Sequence, residues 1–309
     1  VEARGDILSL VSSNDVGVAR LLEMLGEFGL TSIDALAEHV LAQSRKATRE
    51  AIARLPSGRY DCSMLLDGYD EPIRLEAAMT VAGDRLTVDY AGSSPASSRG
   101  INSPKCYTDA YSVYGLKCII APAIPNNAGS LEPFEVLAPE GSCVNPQRPS
   151  PVTARHVIGQ MLPDLMFGCL ARALQDNVPA ESAGSIWVLA MSNAAEARGP
   201  GFNLMNVGLG GIGARPGKDG LSTTAFPSGV GTIPVEVTEA EGPLVFWRKD
   251  LIPDSGGAGT FRGGLGQRIE VGSIDGDAFL ASAATWDRIR FPPRGRAGGR
   301  DGQAGAARL

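Results

Sequence analysis

The sequence is poor in histidine, in paired cysteines and in charge. Its two histidines, His39 and His156, lie far apart and form neither an H-E-x-x-H nor an H-x-x-x-H pattern, which disfavours a self-contained zinc site or a Ser-His-Asp triad. The five cysteines are an odd number with no C-x-x-C pair, whereas disulfide frameworks of small secreted proteins use even numbers. We therefore expect free thiols and a cytoplasmic protein.

Long apolar runs and a cationic surface are also missing. No apolar run approaches the roughly 20 residues that span a bilayer, and residues 1–20 do not have the form of a signal peptide. The 28 Lys and Arg residues are outnumbered by 34 Asp and Glu residues, whereas binding to nucleic-acid phosphates needs clustered positive charge. We expect a soluble protein that binds neither a membrane nor a nucleic acid.

Residues 1–58 are predicted to form a helical hairpin. Apolar residues recur at helical spacing in residues 14–29 and again in residues 33–55, which predicts two helices whose apolar faces belong to the core. Thr31 and Asp34 resemble a capping box at the start of the second helix.

Residues 59–183 are predicted to form a mixed segment. Alternating apolar and polar residues in 60–66, 73–81 and 86–90 predict an antiparallel meander. A short helix is predicted from Tyr107 to Cys118 and a strand at 134–137. A long helix over 152–175 must kink or restart at Pro163.

Glycine marks residues 184–309 as a different kind of segment, because this part holds 25 of the 39 glycines. Dense glycine indicates tight turns or close backbone packing, so we predict a glycine-rich, mainly β segment, compatible with one continuous domain with 59–183. The order of elements favours an α+β fold over alternating α/β. Short strands are predicted at Ile186–Met191, Phe202–Val207, Val235–Val237, Ile269–Val271 and Phe279–Ala283.

One candidate substrate-binding group follows the third strand of the meander. Asp89 ends the strand, and Ser94 and Asn102 lie in the polar loop after it. A carboxylate, a hydroxyl and an amide at a strand end can position a small polar substrate. Asp and Ser are also common turn formers that hydrogen-bond their own backbone, so both interpretations stay open.

A second candidate is the glycine loop at residues 254–266, which includes Ser255, Gly256, Gly257 and Arg262. Exposed backbone N–H groups beside an arginine can hold a carboxylate or another anion. The alternative is a crowded backbone crossing that only glycine allows. None of the glycine loops has the Lys-Ser/Thr that ends a P-loop, and we interpret the arginine-rich residues 288–308 as a solvated segment.

These stretches resemble the hydantoinase B/5-oxoprolinase family, whose N-methylhydantoinase B-type subunits are related to acetone and acetophenone carboxylase subunits. Departures at Ala96, where the family often has Gln, and at Arg155-His156, where it often has Gly-Asn, leave the substrate open. The motifs that carry the resemblance are Asp89-Tyr-Ala-Gly-Ser-Ser-Pro95, Gly100-Ile-Asn-Ser-Pro104, Ile124-Pro-Asn-Asn-Ala-Gly129, Gly210-Gly-Ile-Gly-Ala-Arg-Pro-Gly-Lys-Asp-Gly220, Asp254-Ser-Gly-Gly-Ala-Gly-Thr-Phe-Arg-Gly-Gly-Leu-Gly266 and Asp287-Arg288.

The resemblance implies part of the B-type subunit of an ATP-dependent cyclic-amide hydrolase acting on hydantoins, 5-oxoproline or similar lactams. A hydantoinase A-type partner would bind ATP and Mg²⁺ and phosphorylate the amide oxygen before water attacks. The family's divalent metal would lie in an amino-terminal part of the B-type subunit with a stretch like H-H-x-D-x-G-G, which this sequence lacks.

We therefore expect a partial chain with no cofactor or metal ligands of its own, whose partners include the rest of the B-type subunit. No catalytic residue is assigned. The alternatives are a subunit of an ATP-dependent acetone- or acetophenone-type carboxylase, and a non-catalytic assembly module that docks the A-type partner.

Overall fold

In the part of the chain that the structure describes, helices combine with three small sheets, which confirms the α+β prediction. The computed structural model describes residues 2–193, 201–274, 276, 279–282 and 287–308. The helices are α1 (Glu2–Glu27), α2 (Asp34–Ala53), α3 (Lys105–Ile120), α4 (Ala128–Leu131), α5 (His156–Gly159), α6 (Leu162–Leu174) and α7 (Val235–Glu241). The strands are β1 (Gly58–Leu66), β2 (Ile73–Ala82), β3 (Arg85–Asp89), β4 (Phe134–Leu137), β5 (Ile186–Asn193), β6 (Asn203–Leu209), β7 (Leu244–Leu251), β8 (Gln267–Ser273) and β9 (Phe279–Ser282).

The first sheet has the order β1-β2-β3-β4. Strands β1 to β3 form the predicted antiparallel meander, and Gly83 turns the chain between β2 and β3 with a φ of +62°, a conformation that glycine adopts without strain. Strand β4 joins β3 in parallel, with Leu86 opposite Phe134. The sheet therefore ends on β3 and β4 at the start of the polar loop that follows Asp89.

The main core lies between this sheet and helices α3 and α6. Pro163 restarts the helix as predicted, because α5 ends at Gly159 and α6 begins at Leu162. Contrary to the expectation from the sequence, the stretch His156–Leu174 is long and apolar enough to cross a membrane, but 72% of its most apolar window is buried inside the protein. Such burial is typical of a central core helix.

As at the start of α2, where Leu36 and Val40 are exposed, helix α1 departs from the prediction that its apolar face belongs to the core. Its large apolar side chains are exposed, among them Ile7, Leu8, Val18 and Leu22. The sequence pattern identifies a face that needs covering, but among the described residues α1 has no core against which to pack. The predicted capping box does not form either, since Ser32 Oγ accepts the Asp34 N–H at 3.0 Å.

The carboxyl-terminal part contains a three-stranded sheet, β6-β5-β9, and the hairpin β7-β8. Most of the strands predicted here form, but the prediction of a strand at Val235–Val237 is wrong. These residues begin α7, with Pro234 as its N-cap. The predicted final strand forms at Phe279–Ser282, and its last predicted residue, Ala283, lies outside the described residues.

Candidate functional site

Asp89 and Ser94 are held by backbone hydrogen bonds at the end of the first sheet. Asp89 Oδ1 accepts the Ala91 N–H at 2.9 Å, which is the local turn that aspartate commonly makes. Ser94 Oγ accepts the Arg74 N–H at 2.9 Å, and its own N–H donates to the Arg74 carbonyl at 2.9 Å. The loop is thereby fixed to β2 next to the strand end.

Asn102 organises the same loop from inside the protein. It is fully buried, and its Oδ1 accepts the Ser97 N–H at 2.8 Å. Its Nδ2 donates to the carbonyls of Ser97 at 2.8 Å and Pro151 at 2.9 Å. The amide is thus occupied by the backbone, so any contribution to binding comes through the shape of the loop.

The glycine loop forms a close backbone crossing. A Cβ atom on Gly256 would lie 2.1 Å from the Gly263 carbonyl oxygen, and one on Gly257 would lie 2.1 Å from that of Arg300. Ser255 is buried, and its Oγ accepts the Gly266 N–H and donates to the Ile252 carbonyl, both at 2.8 Å. These contacts favour the crowded crossing as the reason for the glycines.

The loop at Gly208–Gly213 belongs to the same crossing. The Ile212 N–H donates to the Leu221 carbonyl at 3.0 Å, and the Ile212 carbonyl accepts the Gly264 N–H at 2.8 Å. A Cβ on Gly211 would lie 2.1 Å from the Gly264 oxygen. The backbone of this loop therefore packs against the chain itself.

Arg262 is the exposed part of the second candidate group. Its side chain is 65% exposed and its Nε lies 3.2 Å from Asp219 Oδ2, while its backbone N–H donates to Asp219 Oδ1 at 3.0 Å. The guanidinium is thus oriented by Asp219 and still faces solvent, as contact with an anionic group requires. In the described part of the chain no hydrogen bond joins this loop to Asp89, Ser94 or Asn102.

The structure also contains a buried ionic cluster that the sequence analysis missed. At its centre, Arg288 has a side chain only 5% exposed, 3.6 Å from Glu181 Oε2 and 4.0 Å from Asp164 Oδ2. Its Nε and Nη2 donate to the carbonyls of Ala183 and Ser182 at 3.1 and 3.2 Å. The two carboxylates and two carbonyls around this cation offset the free-energy cost of removing it from water.

Asp164 titrates unusually in this cluster. It lies on α6 and accepts hydrogen bonds from both the N–H and the hydroxyl of Ser182. Burial raises the pKa of Asp164 to about 7, although Arg288 and Ser182 act in the opposite direction. A carboxyl group that changes its charge near neutral pH is a recognised feature of functional sites, and also of structural ion networks.

Asp67 and Asp287 fasten the same segment to the end of β1. Asp67 accepts the backbone N–H groups of Ile289 at 2.6 Å and Arg290 at 2.7 Å. Asp287 accepts those of Asp67 at 3.2 Å and Arg288 at 2.6 Å, and burial raises the pKa of Asp287. The hydrogen bonds of these two carboxylates surround Arg288, whose backbone has a left-handed conformation with a φ of +67°.

The prediction of a solvated basic segment is therefore wrong for several of its arginines. Arg294 Nε donates to Glu181 Oε1 at 2.7 Å and its Nη2 donates to the Ser63 carbonyl at 2.9 Å. Arg296 Nη1 donates to the Phe167 carbonyl at 2.9 Å. Their partners lie more than 100 residues away in sequence, and local composition carries no sign of such pairing.

Comparison with known proteins decides the family. A sequence model of the Hydantoinase B/oxoprolinase family matches residues 1–309. The chain belongs to this family. The resemblance seen in its motifs is thereby confirmed.

Named relatives of this family member are longer proteins. A protein assigned as the B-type subunit of a D-/L-hydantoinase in Pseudomonas sp. strain NS671 is 30% identical over 98% of this chain, which covers 52% of that protein. The chain thus spans about half the length of this relative.

Two solved structures share the fold. The ATP-dependent caprolactamase of Pseudomonas jessenii has a TM-score of 0.74 and 24% identity, covering 84% of this chain and 46% of that one. A nucleotide-free acetone carboxylase has a TM-score of 0.71 and 17% identity, covering 86% of this chain and 39% of that one.

The described residues of this hydantoinase B-family chain do not fit a divalent metal. They contain no group of three His, Cys, Asp or Glu side chains placed to hold one. The acidic residues of the buried cluster are instead occupied by arginines and backbone N–H groups. No step of the reaction is therefore assigned to a metal in this chain.

Proposed function

We propose that this chain is part of the B-type subunit of an ATP-dependent cyclic-amide hydrolase that opens hydantoin, 5-oxoproline or a similar lactam ring. The observation that carries the proposal is the family match over all 309 residues. The relative assigned as a B-type hydantoinase subunit and the fold shared with a caprolactamase support it.

In this proposal a hydantoinase A-type partner binds ATP and Mg²⁺ and phosphorylates the amide oxygen, which converts a poor electrophile into a reactive one. The glycine loops of this chain pack against its own backbone, which is consistent with placing the nucleotide on the partner. The divalent metal implied by the resemblance would be held by residues outside this chain.

Helix α1 supplies a surface for assembly. Its exposed leucines, valines and isoleucines form an apolar surface of the kind that marks protein–protein contacts. The name of the hydantoinase relative, which describes it as one subunit of an enzyme, also supports a partner subunit. In this proposal the partners are the A-type subunit and the rest of the B-type subunit.

This chain's own contribution would be to position the substrate. The loop shaped by Asp89, Ser94 and Asn102 would form one wall of the binding site, and the crossing at Ser255–Gly257 would fix the backbone that presents Arg262. The Arg262 guanidinium would then contact the carboxylate or phosphorylated group of the substrate, as a charge-assisted hydrogen bond.

Kinetics of the assembled complex with Arg262→Ala test this role. We expect an increase in the apparent KM of about tenfold, which corresponds to the roughly 1.4 kcal/mol of one such hydrogen bond. The control is Arg248→Ala, which removes a comparably exposed arginine that is paired with Glu270 at 3.2 Å. Equal KM values for the two variants would contradict the assignment.

A carboxylase subunit is the second candidate, favoured by the fold shared with acetone carboxylase. The two reactions differ in their requirement for bicarbonate. Ring opening of lactams without bicarbonate supports the hydrolase, whereas consumption of a ketone only with bicarbonate supports the carboxylase.

An assembly module without a catalytic role is the third candidate, favoured by the exposed apolar face of α1. Such a module would co-purify with its partners, bind no substrate and tolerate Asp89→Ala. A loss of activity in an intact Asp89→Ala complex would exclude it.

A further inference from the structure

Two of the free cysteines meet where the first sheet packs on its core helix. Cys62 of β1 lies opposite Ala77 of β2, and Cys169 of α6 donates its S–H to the Ala77 carbonyl at 3.6 Å. Cys62 and Cys169 are therefore neighbours where β1 packs on α6, and each thiol shifts the pKa of the other. A strand and a helix thus bring two thiols together.

Gly168 makes this approach possible. A Cβ atom at this position would lie 2.2 Å from Cys62 Sγ, so the sulfur rests directly on the backbone of α6. Any larger residue would have to displace the Cys62 sulfur from its position beside Cys169.

Two arginines flank Cys62, and each is anchored beside one member of this contact. Arg294 donates to the carbonyl of Ser63, the residue after Cys62 on β1. Arg296 donates to the carbonyl of Phe167, the residue before Gly168 on α6. The opposing negative charges are Glu181, which is ion-paired with Arg294, and Asp61 and Glu76. Asp61 and Glu76 line the same cavity as Cys62, together with Arg59 and Arg172.

This environment favours the thiolate of Cys62. The neighbouring Cys169 thiol lowers the pKa of Cys62 to about 6, and Arg294 and Arg296 act in the same direction, while burial and Glu181 oppose them. The same pairing of thiols raises the pKa of Cys169. Burial raises the pKa of Cys143 to about 12 and also raises that of Cys118.

Cys62 is also accessible. It is half-buried and is one of the residues that line a cavity of about 390 Å³ at the edge of the first sheet. A partly exposed thiol in an electropositive environment is the setting in which a cysteine reacts with a solute. Cys169 is buried, so a hydroperoxide would meet Cys62 first.

We propose that Cys62 and Cys169 form a thiol-oxidation site, in which Cys62 reacts with a hydroperoxide and Cys169 resolves the product. The Cys62 thiolate attacks one peroxide oxygen, the O–O bond breaks, and Cys62 becomes a sulfenic acid while the leaving oxygen departs as hydroxide or alkoxide and takes up a proton. The Cys169 sulfur then attacks Cys62 Sγ. An S–S bond forms, and the sulfenic oxygen leaves as water with the proton of Cys169. The protein loses two electrons, and the hydroperoxide gains them.

The proposal is independent of the reaction that the assembled enzyme catalyses. The disulfide would fasten β1 to α6 next to the Arg294–Glu181 pair. Hydroperoxides would therefore cross-link β1 to α6, whatever the substrate of the complex.

The first test measures the pH dependence of alkylation on the unmodified protein. Iodoacetamide labelling of Cys62, followed by peptide mass spectrometry, should rise only about twofold between pH 6 and pH 8, since its thiol titrates near pH 6. A cysteine in an unstructured peptide, with an ordinary thiol pKa of about 8.5, should rise about seventyfold. A steep rise for Cys62, or labelling of Cys62 only after unfolding, would overturn the proposal.

The second test adds hydrogen peroxide in equimolar amount. The folded protein should lose two hydrogen atoms and yield a peptide that links Cys62 to Cys169. Cys169→Ser should instead trap one oxygen atom on Cys62 as a sulfenic acid, and Cys62→Ser should give neither product.

Cys106 is the accessibility control, because it is the exposed cysteine. Cys106→Ser should form the disulfide as the unmodified protein does. Faster peroxide oxidation at Cys106 than at Cys62 would show that exposure alone decides the reaction and would refute the proposal.

Discussion

Replacing Arg288 by alanine removes the cation at the centre of the buried ionic cluster. Asp164 and Glu181 would keep their positions, because Ser182 and Arg294 still hold them. Both carboxylates are nearly inaccessible to water, with side chains 1% and 4% exposed. The variant would therefore leave the buried carboxylate of Asp164 without the arginine that is paired with it, while Glu181 keeps Arg294.

The expected loss of stability is large. Removing one partner of a buried ion pair destabilises a protein by about 3–5 kcal/mol, since the remaining charge is uncompensated. The loss should be greatest at pH 8 and smaller at pH 5, because the pKa of Asp164 is already about 7 and protonation relieves the unpaired charge. Arg288→Gly should be about 1 kcal/mol more stable than Arg288→Ala, since Arg288 has a φ of +67°.

Urea unfolding followed by circular dichroism measures these differences. The matched control is Arg262→Ala, whose arginine is 65% exposed and makes a single ion pair with Asp219. Surface pairs of this kind contribute about 1 kcal/mol or less. Equal losses for Arg288→Ala and Arg262→Ala, or a loss for Arg288→Ala that does not change between pH 5 and pH 8, would refute the reasoning.

Three further predictions concern separate parts of the molecule. Burial holds the pKa of Asp164 at about 7, above its ordinary value of 3.8, so this group stabilises the fold most below about pH 4 and loses its contribution as the pH rises to 7. Asp164→Asn should therefore flatten the fall in unfolding free energy between pH 4 and pH 7, and an unchanged slope in urea titrations would contradict this. Gly257→Ala should destabilise the fold by about 1–3 kcal/mol through its 2.1 Å contact with the Arg300 oxygen. The control is Gly231→Ala, which has open space around it and should change stability by less than about 1 kcal/mol. A Gly257→Ala protein that keeps its full stability and loses only substrate affinity would contradict the crowded crossing and favour anion binding by the backbone of this loop. Leu22→Glu on the exposed face of α1 should leave the melting temperature unchanged and weaken co-purification with partner subunits, and unaltered co-purification would exclude α1 from the interface.

The sequence predicted the first sheet well because its signals are local. Period-two alternation and the Gly83-Asp84 turn place β2 and β3, and Pro163 marks the start of α6. The strand predicted at Val235–Val237 was wrong, because these residues form the first turn of α7 with Pro234 as its N-cap. The face of α1 was assigned to the core because a pattern shows which side chains need covering and does not show what covers them.

The candidate site was less predictable for the same reason. Asn102 and Ser255 could be singled out as polar residues in motifs, but their occupation by backbone groups depends on loop conformation. Arg288 pairs with residues more than 100 positions away. Its partners become neighbours only when the segment after β9 packs against β1 and α6, which no local pattern encodes.

We propose that this chain is part of an ATP-dependent cyclic-amide hydrolase. The most direct measurement isolates the native complex that contains the chain, incubates it with 5-oxoproline and with hydantoin, and follows ring-opened product and ADP together. We expect both products in a fixed ratio, and neither in a matched preparation from which this chain has been removed. Ring opening that proceeds without ATP, or that is unchanged without this chain, would contradict the claim.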